Sequence, residues 1–253
     1  MSRQYTTKIN RLFSLWPQGT VVVQSLLKKQ GIYRQLIKIY LNSHWLVKIG
    51  SGAYARPNDN ITWSSGLYSI QNQLYLDIHA GGKTSLYLQG YSHNISNSEP
   101  QNTFFFGFRG VQLPAWFKTY NWKTKINYIR TNLFNKNLNI GFTEYQINTY
   151  TIKISSLERA IMEMLYLVPQ KESIEEAQLI MEGLTTLRPN IINELLNNCN
   201  SIKVKRLFLY IADKLNMPWF KKININKINL GKGKRTVIPG GKFNSKYNIT
   251  VLE

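Results

Sequence analysis

Arg34, Gln35, Lys38 and Asn42 stand at intervals that place them along one side of a helix, with Tyr33 just ahead of them. Guanidinium and carboxamide groups can pair with guanine and adenine edges in the major groove, and Lys38 and Asn42 suit phosphate oxygens. Lys28 and Lys29 precede this stretch; Lys48, Ser51 and Arg56 follow it and offer contacts to the phosphate backbone or minor groove. No aspartate or glutamate occurs before Asp59. The chemistry on offer is recognition of a polyanion, with double-stranded DNA as the first choice.

A second set of cations lies far along the chain. Lys203, Lys205 and Arg206 fall within one helical turn, and Lys221, Lys222, Lys232, Lys234 and Arg235 follow. Together they could form a second basic surface for DNA, for RNA or for an acidic protein partner. Helix faces left in water are the plain alternative.

Residues that could do covalent or metal chemistry are scattered. Asp77-Ile-His-Ala-Gly-Gly-Lys-Thr84 ends like a phosphate-cradling loop, but Asp77 stands where such a loop needs glycine, so a strand-to-helix turn is expected. Gly231-Lys232-Gly233-Lys234-Arg235 lacks the third glycine of a dinucleotide fingerprint and reads as a basic turn. His44, His79 and His93 have no cysteine or carboxylate at metal-ligand spacing. Glu158 and Glu163 lie five apart and face different ways on a helix, and Glu158 with Arg159 suggests an ion-paired helix start. Cys199 is the only cysteine, best read as a small buried residue. These residues call for no catalytic group, metal or cofactor.

Charge follows the same division. The formal net charge is +19, but residues 1–60 hold nine lysines and arginines against Asp59, residues 61–200 hold eleven against ten acids, and residues 201–253 hold twelve against two. Basic ends flanking a balanced middle are the footprint of nucleic-acid binding rather than of a uniformly lysine-rich chain. The absence of an apolar signal core or membrane-length run, with a lone cysteine, leads to the expectation of a cytoplasmic protein without membrane contact.

The elements that must position the first set follow from periodicity and punctuation. A first helix is expected through residues 8–15 up to Pro17, a second over 21–29 ending at Gly31, and a third over 33–42 with Ile32, Leu36, Ile39 and Tyr40 towards the core. Two short strands, 45–49 and 53–56, joined by Gly50-Ser51-Gly52, complete a winged helix-turn-helix. Residues 56–60 read as a linker. The expected fold class is α+β: a winged helix over 1–58, then a larger mixed domain over 62–253. In that domain a helix is expected at 63–74, a strand at 75–78, a helix at 83–89 and a loop at 91–101. Strands are expected near 104–111, 125–132 and 140–154. Helices over 156–167, 172–184, 189–199 and 202–215 follow, then a basic tail with possible edge strands at 237–238 and 249–251.

Several stretches, in order, resemble the AbiEi antitoxin family. They are Tyr40-Leu-Asn-Ser-His-Trp-Leu46 with Gly50-Ser-Gly-Ala-Tyr-Ala-Arg56, then His79-Ala-Gly-Gly-Lys-Thr-Ser-Leu86, then Ser155-Ser-Leu-Glu-Arg-Ala-Ile-Met-Glu163. Ser201-Ile-Lys-Val-Lys-Arg-Leu-Phe208, Pro218-Trp219 and Leu230-Gly-Lys-Gly-Lys-Arg235 close the pattern. Two positions depart from it: Leu157, where proline is expected, and His44, where glycine often precedes the tryptophan. The resemblance implies a non-enzymatic autorepressor that binds inverted repeats in its own promoter. It also implies a second domain that counteracts a co-encoded AbiEii-like nucleotidyltransferase toxin, with or without direct contact, in a type IV system linked to abortive infection. The residues alone leave two other readings open: a winged-helix regulator whose large domain senses a ligand, and a DNA- or nucleotide-modifying enzyme.

Overall fold

The computed structural model describes residues 7–91 and 101–251, so the expected loop at 91–101 lies largely outside the described residues. Helix α1 (Lys8–Leu15) starts at Thr7, whose hydroxyl accepts a hydrogen bond from the Asn10 amide, and stops before Pro17. Its apolar stripe buries Ile9 and Leu12, and Trp16 closes it.

The expected helix from residue 21 begins later. Val22–Val23 is strand β1, and α2 (Gln24–Lys29) starts only after it. Three successive valines are stiff at χ1 and prefer extended backbone, and Val22 and Val23 pair antiparallel with Tyr54 and Ala53. Gly31, at φ 71°, makes the turn into α3 (Arg34–Asn42). Strands β2 (Val47–Gly50) and β3 (Ala53–Ala55) form the wing of a three-stranded sheet ordered β1-β3-β2. This is the winged helix-turn-helix expected from the sequence. Its core gathers Leu12, Trp16, Leu27, Ile32, Ile37 and Leu46.

One core assignment is corrected. Ile39 is 58% exposed, and Ile37 is buried in its place. The inward stripe runs through Ile37 and the partly buried Leu36, Tyr40 and Leu41, which rotates α3 relative to the expected face.

Helix α4 (Trp63–Asn72) has a capping box between Thr62 and Ser65. Tyr75 adopts φ 54°, so no strand starts there, and β4 is Ile78–Ala80. Then come α5 (Gly82–Leu88), β5 (Asn102–Gly107), α6 (Ala115–Thr119), β6 (Lys125–Arg130), β7 (Phe142–Ile147) and β8 (Tyr150–Ser155). The five-residue α6, opened by Pro114, was not anticipated, being shorter than any helical period can reveal. A five-stranded sheet has the order β6-β5-β4-β8-β7, with β4 and β8 parallel. Helices α7 (Leu157–Leu167), α8 (Ile174–Gly183), α9 (Pro189–Asn198) and α10 (Ile202–Lys214) lie close to their expected spans. The tail forms β9 (Arg235–Thr236), β10 (Lys242–Asn244) and β11 (Ile249–Val251) in the order β10-β11-β9. Ile249–Val251 is therefore the central strand, not an edge, and residues 237–238 follow β9 rather than forming it.

By compactness the chain forms two units. The first comprises residues 1–79, 110–126 and 144–153; the second comprises 80–109, 127–143 and 154–253. In the first, α4 holds the winged helix by side-chain bonds to backbone. The Gln73 carboxamide accepts from Val23 N at 2.9 Å and donates to Val21 O at 2.8 Å. Wing residue Gly50 lies flat against Trp116 of α6, where any Cβ would sit 2.8 Å from that of the tryptophan. The second unit is organised by α7 and α10, which bury Ile161, Met164, Leu165, Leu207, Phe208 and Ile211 in one core.

Candidate nucleic-acid interface

Helix α3 presents Arg34, Gln35, Lys38 and Asn42 to solvent, as expected, with exposed Tyr33 at its N-cap. Ile39, missed by the sequence reading, shares the face of Gln35 and Asn42 by its i+4 and i+3 spacing. An apolar side chain there is suited to the thymine methyl group. No acid stands in the first turn of α3. Lys8 Nζ donates to Gly31 O at 3.0 Å and so fastens the turn that delivers α3.

Around this helix, Lys28 and Lys29 end α2 and are exposed, with Lys29 Nζ 5.5 Å from the Tyr75 ring centre. Lys48 and Ser51 are exposed on the wing. Arg56 is a correction. Its guanidinium turns inward, donates to Phe13 O at 2.9 Å and to Trp16 O, and lies over both aromatic rings. Burial lowers its pKa, against the raising influence of Asp59. It ties the end of the wing to the Phe13 and Trp16 carbonyls instead of pointing outward.

The second basic set divides in the same way, within the second unit. Arg206 is 1% exposed and donates to the carbonyls of Leu230, Gly231, Gly233 and Asn248. Lys205 is buried and donates to Asn229 O at 3.1 Å. Lys203 Nζ donates to Tyr166 O at 2.8 Å and to Val168 O, and burial, with Arg235 nearby, lowers its pKa to about 8. These three hold α10 to the glycine turn and to the end of α7, so they do not form the expected surface. Buried carbonyls without partners are costly, and long cationic side chains satisfy several at once. Lys221, Lys222, Lys232, Lys234 and Arg235 are exposed and remain available.

The remaining motifs are structural as well. Glu158 does not pair with Arg159. Its carboxylate takes Arg188 N, Nε and Nη2 at 2.8–3.0 Å and Ser156 Oγ at 2.7 Å. Burial pushes this carboxyl up, but the hydrogen bonds from Arg188 and Ser156 outweigh it and hold it at about 2. Arg159 pairs instead with buried Glu163 at 3.0 Å and lies over the Phe134 and Phe142 rings. Glu163 also accepts from Ser155 Oγ and from Gly82 N, so a carboxylate from this chain occupies the turn that looked like part of a phosphate loop. Lys83 binds Glu176 at 2.5 Å. Cys199 is buried, and burial raises its thiol to about 11, which leaves it unreactive. Among the described residues no group of three or more His, Cys, Asp or Glu could hold a metal, and no helix is long and apolar enough to cross a membrane.

A winged helix with an exposed basic third helix, joined to a larger α+β region, is the class of fold that the described residues define. Residues 5–97 match the model described as transcriptional regulator, AbiEi antitoxin N-terminal domain. Residues 101–252 match transcriptional regulator, AbiEi antitoxin, type IV TA system. The chain therefore belongs to the AbiEi antitoxin family of type IV toxin–antitoxin regulators. It is also similar in fold to the RV2827C protein from Mycobacterium tuberculosis, with a TM-score of 0.55 at 14% identity over 98% of this chain and 92% of that one. No curated protein matches it.

Proposed function

We propose that the chain binds inverted repeats in the promoter of its own operon through α3 and the wing, represses that operon, and counteracts a co-encoded nucleotidyltransferase-like toxin. Residues 1–58 read the DNA in this scheme, and residues 62–253 carry the antitoxin action in the cytoplasm, without catalysis of their own. The observation that carries the DNA reading is the outward face of α3, where Arg34, Gln35, Lys38, Ile39 and Asn42 are exposed in a segment without acidic residues. Family membership supports the toxin partner and the autoregulation.

Arg34→Ala with Gln35→Ala in the full chain is expected to cost one or two bidentate base contacts, each worth about 1–3 kcal/mol of discrimination. A gel-shift series on the promoter should then lose preference for the repeats over scrambled duplex. Equal preference by wild type and variant would remove α3 as the reader. Co-expression with the product of the neighbouring toxin gene tests the second half: restored growth is expected from the wild-type chain and from this variant alike.

A further inference from the structure

The second unit contains an open groove of about 400 Å³ whose wall takes in one member of the second basic set, Arg235. Its walls include Arg109, Asn132, Tyr166, Asn200, Ser201 and Arg235. No aspartate or glutamate lines it. Arg109 and Arg235 are exposed, and neither guanidinium has a hydrogen-bond or ion-pair partner among the described residues. Ser201 is the N-cap of α10, a helix of 13 residues, so the positive end of that helix faces the same space. The Lys203 ammonium sits behind this wall, tied to the Tyr166 and Val168 carbonyls, and it is depressed by burial and by Arg235.

Like charges converge here without an internal counter-charge. Elsewhere in this unit, carboxylates of the chain meet clustered charge: Glu158 takes Arg188, Glu163 takes Arg159, and Glu176 takes Lys83. The groove is different in that the missing partner would have to be an anion from outside. Two guanidiniums present planar forks matched to phosphate, and a helix N-terminus adds amide dipoles of the same sign. Asn132 and Asn200 add neutral polar groups, and Tyr166 gives an aromatic wall. A volume near 400 Å³ suits a compact ligand rather than an extended strand.

We infer that this groove binds a small phosphorylated ligand of the nucleotide class, with the phosphates held by Arg109 and Arg235 and the nucleoside directed along Tyr166. The site lies wholly in the second unit and does not depend on α3 reading DNA. Nucleotide binding there would give the antitoxin region an input that the promoter contact lacks.

Calorimetric titration of the full-length chain with ATP, GTP, inorganic phosphate and adenosine tests this. Saturable binding of ATP or GTP is expected, with weaker binding of phosphate and none of adenosine. Arg109→Ala and Arg235→Ala should each raise Kd about tenfold or more, as expected for loss of a charge-assisted bidentate pair. Both residues are on the surface, so unchanged thermal melting is expected and separates loss of the site from loss of the fold. Promoter affinity of the Arg109→Ala variant should be that of wild type. The inference is overturned if no nucleotide saturates the wild-type chain, if adenosine binds as well as ATP, or if the double variant binds nucleotide unchanged. It is also overturned if the two substitutions weaken only promoter DNA, which would assign the groove to the DNA backbone.

Discussion

Arg56 and Arg34 have the same side chain in the same basic segment, and opposite tasks. The Arg56 guanidinium donates to the carbonyls of Phe13 and Trp16 and lies over both rings, whereas that of Arg34 is exposed at the start of α3. Arg56→Ala would remove hydrogen bonds to Phe13 O and Trp16 O and the stacking over two rings. A loss of roughly 1–3 kcal/mol is expected, read as a lower denaturant midpoint. The folded fraction of that variant should keep wild-type promoter affinity, the reverse of the pattern expected for Arg34→Ala. Sequence could not separate the two, because both are arginines in an acid-free segment, and only packing decides which guanidinium finds carbonyls. The same ambiguity placed Lys203, Lys205 and Arg206 on a surface, when their partners lie more than twenty residues away along the chain. His44 shows the opposite case. Its backbone sits at φ 55°, a region glycine enters freely, so the departure from the family pattern marks a real conformational demand.

At the scale of elements, the long amphipathic helices were legible because their apolar periods persist for three turns: α7 to α10 lie within two residues of their expected limits. Short elements were not. β1 was hidden in a helix prediction because its two residues carry no period, and its strand character comes from pairing with β3. The junction of α5, α7 and α8 gives a testable pH response. Glu172 is buried at 6% exposure, with Lys83 Nζ 3.9 Å away and that ammonium bound more closely to Glu176. Burial raises the Glu172 carboxyl to about 7, Lys83 opposes this, and Glu176 adds to it. The folded protein thus holds this proton more tightly than the unfolded chain, whose carboxyl titrates near 4.5. Its favourable contribution is complete below about 4.5 and is lost as pH rises through about 7. Glu158 works in the other direction, with a contribution present above about 4.5 and lost as pH falls towards 2. Urea melts of the wild-type chain should therefore show stability falling from pH 5 to 8. Glu172→Gln should flatten that fall, by an amount on the order of 2 kcal/mol. A slope unchanged in the variant would place the titration elsewhere.

For the whole molecule, the net charge of +19 overstates what a polyanion can reach. Arg56, Lys203, Lys205 and Arg206 are committed to carbonyls of this chain, and Lys83, Arg159, Arg188 and Lys246 are paired with carboxylates. Among the described residues, what remains outward and uncommitted in the winged helix is a short set: Arg11, Lys28, Lys29, Arg34, Lys38 and Lys48. Each cation that neutralises a phosphate releases condensed counterion, so the number of contacts is read from the slope of log affinity against log salt, at about −0.9 per phosphate. On the proposed DNA complex, Lys38→Ala and Lys48→Ala should each make that slope shallower by about one and weaken specific and scrambled duplex alike. Lys205→Ala should lower the melting temperature and leave the slope where it was, because its ammonium is spent on Asn229 O. A slope that moved with Lys205 but not with Lys38 would put the duplex on α10 rather than on α3.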